Sequence, residues 1–158
     1  MNGTAPWGND IAMGEEGRAP GSARPDGLEL RLEARPKEVS AVRRALEHLG
    51  LPDRLLDDAK LLATELVTNS IRHAGLRPDE YIHVSIHWSG TRLRVNVRDR
   101  ARGDASSTVV GAIRPAPGAR SGWGLYLVDQ IASRWGTNLG GAAGYWFDLD
   151  AQPDNETD

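Results

Sequence analysis

Leu28, Leu30 and Leu32 alternate with Glu29, Arg31 and Glu33, a period of two that predicts a half-buried strand. Pro36 then opens a helix at a first-turn position, where its missing N–H costs nothing. Val39, Val42, Ala45, Leu46 and Leu49 form the apolar stripe of that helix, and Gly50 is the expected stop. His48 reads as a surface residue of the same helix. A second, longer helix is predicted from about Asp53 to His73. Its wide apolar face holds Leu55, Leu56, Ala59, Leu62, Ala63, Leu66, Val67 and Ile71, and Gly75 and Pro78 end it. A hairpin follows. Ile82, Val84, Ile86 and Trp88 alternate with Tyr81, His83, Ser85 and His87; Ser89-Gly90 turns the chain; Leu93, Val95 and Val97 return. From Arg100 to Arg120 the periodicity lapses, and Gly, Pro, Ala, Ser and Arg dominate. So long a loop in a compact domain is usually a functional lid or disorder. Gly122-Trp123-Gly124 starts a third helix, with Leu125, Val128, Ile131 and Ala132 on its apolar face and a stop at Trp135-Gly136. Gly140 to Gly144 reads as a turn, and Tyr145, Phe147 and Leu149 as a final strand with Trp146 on the opposite face.

The predicted order is strand, helix, helix, strand, strand, lid, helix, strand, strand. Hairpin links dominate, so the expected fold class is α+β. The architecture is a two-layer sandwich whose mixed, mostly antiparallel sheet is covered on one face by about three helices. Residues 1–27, rich in Gly, Pro, Ala and Ser, are expected to be a disordered tail. Trp7 and Ile11 are the large apolar groups within it. One folded domain is expected over 28–151, with the lid at about 100–121 and a frayed end over 152–158.

Composition narrows the function classes. The chain of 158 residues suits one domain with a real core. Lys and Arg number 19 against 22 Asp and Glu, a net charge of −3, so no basic excess points to direct nucleic-acid binding. Cysteine is absent, which excludes disulfides, thiolate chemistry and Cys-ligated zinc, and a reducing cytoplasm is the default expectation. No apolar run approaches the roughly 20 residues needed to cross a bilayer, and the N-terminus shows no apolar signal-peptide core. A soluble cytoplasmic domain without membrane contact is expected.

Three places carry candidate chemistry. Glu65, Asn69 and His73 step along one helix edge at intervals of four in ELVTNSIRHA, residues 65–74. At about 100° per residue such steps drift by about 40° each, so the stripe begins beside the apolar face and winds into it. Asn69 offers a neutral oxygen to a hard cation such as Mg²⁺, which keeps several waters and binds phosphate oxygens. Glu65 could orient a metal-bound water or accept a proton from an attacking hydroxyl. Taken alone, both residues read more readily as helix-surface polarity. The second place is Asp99, after the returning strand in DRARG, residues 99–103. A carboxylate at a strand end can accept a hydrogen bond from an exocyclic amine such as adenine's, and Gly103 could turn the backbone into the lid. An Asp that merely starts a turn is the bland alternative. The third is GWGL, residues 122–125, where glycines at a helix start offer free N–H groups and the positive end of the helix dipole to a phosphate. A flexible entry to a helix would look the same. His83 and His87 share a polar strand face; with no third ligand at suitable spacing they read as a solvent-facing side. Neither a G-x-x-x-x-G-K-[ST] loop nor an early G-x-G-x-x-G is present, so P-loop and Rossmann sites are excluded.

In combination these residues resemble a known family. ELVTNSIRHA looks like the N-box of the GHKL (histidine kinase-like) ATPase superfamily. DRARG resembles its G1 box, normally D-x-G-x-G, and GWGLYLVDQIASRWG its G2 box and following helix. The lead-in LPDRLLDDAKLLATELVTNSIRHAG and the small size are most similar to the anti-sigma-factor serine/threonine kinases related to RsbW and SpoIIAB, over about residues 28–150. The resemblance implies ATP and Mg²⁺ as ligands, in the two-layer histidine-kinase-like (Bergerat) fold. It implies Glu65 as general base towards a partner serine, and Asn69 as holder of the Mg²⁺ that bridges the phosphates. His73 would close the N-box helix near the nucleotide, Asp99 would bind the adenine amine, and Gly103 would hinge the lid. Gly122, Trp123, Gly124 and Leu125 would wrap the phosphates. The implied partners are a small STAS-type anti-sigma antagonist, which the kinase phosphorylates and releases, and a sigma factor; a homodimer is compatible with the family.

Two positions depart from the pattern. Ala101 stands in the nucleotide-facing G1 box where its first glycine is expected, and the last hairpin reads Ala143-Gly144-Tyr145 in place of a Lys-Thr step that seats adenine. The expected function is therefore an ATP-dependent protein serine/threonine kinase in a partner switch. The alternative is a module of the same fold, weak or inactive in catalysis, that regulates a partner by sequestration. A detached histidine-kinase ATPase domain ranks last, because no helical segment with a phospho-accepting His precedes the domain.

Overall fold

A computed structural model of the protein describes residues 27–73, 76–77, 79–99, 115–119, 122–138 and 143–152. Five strands and three α-helices follow in the order β1 (Gly27–Glu33), α1 (Val39–Glu47), α2 (Asp53–His73), β2 (Tyr81–Trp88), β3 (Arg92–Asp99), α3 (Trp123–Ile131), β4 (Arg134–Thr137) and β5 (Ala143–Asp150). Gly27, which composition assigns to the tail, is the first residue of β1. Pro36 opens a short 3-10 turn, Pro36–Glu38, that leads into α1. His48 caps α1 from the exposed side, its ring Nδ1 lying 2.6 Å from the Arg44 carbonyl oxygen.

The sheet order is β1-β2-β3-β5-β4, so β3 is the central strand. All four pairings are antiparallel rather than mixed. The registers put Leu32, Ile82, Val84, Ile86, Leu93, Val95, Val97, Phe147 and Leu149 on one face. That face is buried in one cluster with Val42 and Leu46 of α1, Leu55, Leu62, Leu66 and Val67 of α2, and Val128 of α3. The opposite face carries the alternate polar residues, among them His83 and His87, both exposed. No group of three His, Cys, Asp or Glu able to hold a metal occurs among the described residues. On this outer face Asp148 is wholly buried, because Arg94 forks onto it through Nε at 2.6 Å and Nη2 at 2.8 Å while also lying over the Trp146 ring. No described helix is long and apolar enough to cross a membrane.

The structure corrects the end of the third helix. α3 stops at Ile131, and Trp135 and Gly136 belong to the short edge strand β4, paired with Phe147 and Trp146. The Ala132 N–H closes the helix onto the Val128 carbonyl, and Ala132 itself is already extended.

Gly144 explains the altered last hairpin. It has φ +122, in the left-handed region that side chains avoid, and an added Cβ would collide with the Val97 carbonyl oxygen. That same carbonyl accepts a hydrogen bond from Asn138 Nδ2 at 3.0 Å, and the Asn138 N–H donates to the Gly144 oxygen at 3.0 Å. β3, β4 and β5 are thus tied together at one end by a backbone that admits no side chain at 144. Gly144→Ala is expected to destabilise the domain by about 2 kcal/mol, a fall in Tm of roughly 6 °C by thermal melting.

Candidate functional site

The end of β3 is where the candidate residues meet. Asp99 is the last residue of the strand rather than the first beyond it, and it is 7% exposed. The alternation Leu93, Val95, Val97, Asp99 carries its side chain onto the apolar face, under α2. There Asp99 lies close to Ser70 of α2, itself buried, and Asp99 Oδ1 has no hydrogen-bond partner among the described residues. Burial pushes the Asp99 carboxyl above the usual carboxylate range, and the nearby Ser70 hydroxyl partly offsets it. A buried acceptor left unpaired costs roughly 1–3 kcal/mol, so Oδ1 is open to a donor that no described residue supplies. Tyr145 of β5 stands half-buried on the same sheet face, and its hydroxyl pKa is raised first by burial and then by the charge of Asp99.

Glu65 and Asn69 lie on α2, both half-buried, as expected for a stripe that winds toward the apolar face. His73 is the last residue of that helix, and its side chain lies outside the described atoms. Glu65 reaches the start of α3: a Cβ added to Gly124 would stand 2.8 Å from Glu65 Oε2 and 3.4 Å from Glu65 Cβ. The glycine therefore has a reason that its motif alone does not give, since it lets the carboxylate of α2 close against the first turn of α3. Gly122 is the N-cap residue, with φ +88 and no side-chain hydrogen bond capping the helix. Gly122 has no side chain with which to cap the leading N–H groups of α3, on Trp123, Gly124 and Leu125. Trp123 is turned back, its indole N–H donating to the Ala119 carbonyl at 2.8 Å, and its ring meets Tyr126 edge-on. Ala101, Gly103 and the arginines at 100, 102, 114 and 120 lie outside the described residues, as does most of the lid expected at 100–121.

The structure thus brings Glu65 and Gly124 into contact, and it sets Asp99 beneath the same helix five positions further along, at Ser70. Ser70 was missed in the sequence. Its signal was there: it continues the buried positions 59, 62, 63, 66 and 67 at helical spacing. A hydroxyl in that row faces the sheet.

Fold and sequence place the protein in a class, the α+β ATPase domains. The chain matches the histidine kinase-like ATPase domain over residues 32–141, and it belongs to that family. Membership of an ATPase family implies ATP binding. Among solved structures of the same fold is the crystal structure of the RsbU and RsbW domains of Rv1364c from Mycobacterium tuberculosis. The two are 19% identical with a TM-score of 0.58, over 78% of this chain and 31% of that one. The protein therefore spans about a third of that chain's length. No curated protein matches the sequence.

Proposed function

We propose that the protein is a Mg-ATP-dependent serine/threonine kinase that phosphorylates a small STAS-type antagonist in a partner switch that frees or captures a sigma factor. The observation that carries the ATP reading is Asp99, a buried carboxylate at the end of the central strand with Oδ1 unpaired. Adenine's exocyclic amine has the donor that this atom lacks. The likeness in fold to a structure containing an RsbW domain supports the choice of partner class.

Each residue then has a task. Asp99 accepts the adenine amine. The N–H groups at the start of α3, to which Gly122 offers no side-chain cap, receive phosphate oxygens, favoured by the positive end of the helix dipole. Asn69, half-buried on α2, would hold Mg²⁺ through its amide oxygen, a neutral donor suited to a hard cation. When bound, Mg²⁺ neutralises charge on the phosphates. Glu65, held against Gly124 at that helix start, takes the proton from the partner's serine hydroxyl. The serine oxygen bonds to the γ-phosphorus, the bond from that phosphorus to the β–γ bridging oxygen breaks, and ADP leaves.

Incubation with γ-labelled Mg-ATP and a purified candidate antagonist tests the reading: label should move to the antagonist's serine. Label that stays in ATP across antagonists that bind the protein would reject it. Gly124→Ala adds a specific expectation. Its methyl group displaces the Glu65 carboxylate, and a misplacement of that size lowers transfer by about a hundredfold. The melting temperature should hold, because Glu65 is at a half-buried rim. Single-turnover rates at saturating ATP check it.

A second reading, sequestration without transfer, draws on Gly144. No side chain can stand at that step to help seat adenine. Under that reading the protein binds its partner equally well with and without Mg-ATP, and no label moves.

A further inference from the structure

We propose that Trp123 is a positioning residue that latches the turn at 116–119 to the first turn of α3, and so holds the start of that helix ready for phosphate oxygens. The inference rests on the ATP reading above and adds to it the side chain that prepares the phosphate end. The turn is set by its own sequence, Ala116-Pro117-Gly118-Ala119. Proline at the second position fixes its own φ. Glycine at the third admits φ +82, and the Ala119 N–H closes the turn onto the Ala116 carbonyl at 2.9 Å. These are the residues and the hydrogen bond of a type II turn. Residues 116–118 are exposed, and a Cβ added at Gly118 would meet nothing within 4 Å. The shape of the turn is therefore a matter of backbone, not of packing on a neighbour.

The turn ends on the carbonyl that Trp123 uses. The indole N–H donates to the Ala119 oxygen at 2.8 Å, four residues back, and the ring meets Tyr126 of α3 edge-on with 5.9 Å between centroids. Pro115, just before the turn, stands close as well: its Cγ is 3.5 Å from where a Cβ on Gly122, the helix N-cap, would lie. From the side of α2, Glu65 stands against Gly124. The first turn of α3 is thus held by α2 at Gly124 and by the entering chain at Gly122 and Trp123. The resemblance expects Trp123 to wrap the phosphates. Its backbone N–H does stand at the helix start, but its indole N–H is committed to Ala119. A helix start that is already fixed takes up phosphate without first having to be ordered, so less binding energy is lost to ordering and affinity rises. On the ATP reading the base and ribose do not use these N–H groups and gain nothing from the latch.

Trp123→Phe keeps the ring and its contact with Tyr126 but removes the N–H. Gly118→Ala leaves Trp123 untouched and strains the turn from its other end, because a side chain at φ +82 is disfavoured. Wild type, both variants and the double variant are titrated with Mg-ATP and with adenosine, which has the base and ribose but no phosphate. Nuclear magnetic resonance of the ligand reads the weaker binding, and a thermal melt accompanies each protein. Each single variant should lower Mg-ATP affinity about fivefold and leave adenosine affinity unchanged. The double variant should stay within about twofold of either single one, because both break the same latch. Wild-type ATP affinity in both single variants, or an equal loss for ATP and adenosine, overturns the latch while leaving the ATP site intact. A loss in Trp123→Phe alone also overturns it, since Trp123 would then act on the nucleotide itself, and so do losses that multiply in the double variant. A wild type that binds neither ligand overturns the ATP reading, and this proposal with it. If Gly118→Ala fails to melt cooperatively, the split between ATP and adenosine in Trp123→Phe decides alone.

Discussion

Glu65→Gln is expected to lower phosphate transfer to the antagonist by about 10²–10⁴-fold while leaving Mg-ATP affinity within about threefold of wild type. The amide keeps the shape and the contact with Gly124 but cannot take the serine proton at the moment the P–O bond forms. An effect confined to transfer at saturating ATP assigns Glu65 to the chemical step. A matching loss of affinity would instead make it a nucleotide-binding group, and unchanged transfer would remove it from the mechanism. Because the side chain is half-buried at a rim, the substitution should not move the melting temperature. Quenched-flow transfer rates and calorimetric affinities on the same preparation separate these outcomes.

Asp99→Asn should have two effects of opposite sign. The charge-assisted bond to the adenine amine becomes a neutral one, and ATP affinity falls by roughly 10- to 100-fold. Stability moves the other way. Burial raises the Asp99 pKa above its ordinary value of 3.8, which means that the native state resists ionisation. The penalty is absent well below pH 3.8, where the group is protonated in both folded and unfolded chains, and it grows as pH rises to the native pKa. Above that pH it is fully present. Asp99→Asn is free of it, so at pH 7.5 the variant should melt about 4 °C above wild type, with the gap closing as pH falls towards 4. A variant that melts lower at pH 7.5 would show that the carboxylate contributes to stability, and that its unpaired oxygen carries no cost.

Much of this was open to a reader of the sequence. Period-two alternation placed β1, β2, β3 and β5, and the apolar stripe of α2 located Glu65 and Asn69 at a half-buried edge. The predicted order has two strands after α3, but β4 could not be placed: four residues, Arg-Trp-Gly-Thr, are too few to display an alternation, and Trp135-Gly136 imitates a helix stop. The depth of Asp99 was legible: it continues the parity of Leu93, Val95 and Val97 by one step, and that parity is the buried one. What the sequence could not give is distance. Glu65 and Gly124 are brought together by the docking of α3 on α2, and Ser70 meets Asp99 only because α2 crosses the end of β3. The last hairpin shows the same limit. A glycine at 144 reads as a missing threonine, whereas the folded chain shows a backbone at φ +122 that excludes any side chain.

On the proposed reading Asp99, at the end of the central strand beneath α2, makes this a pocket for Mg-ATP. Calorimetric titration of Mg-ATP into wild type and Asp99→Asn tests it most directly. One saturable site is expected in wild type, and binding weaker by at least about tenfold in the variant. No heat from wild type up to about 5 mM nucleotide, or equal affinity in the two proteins, would contradict it.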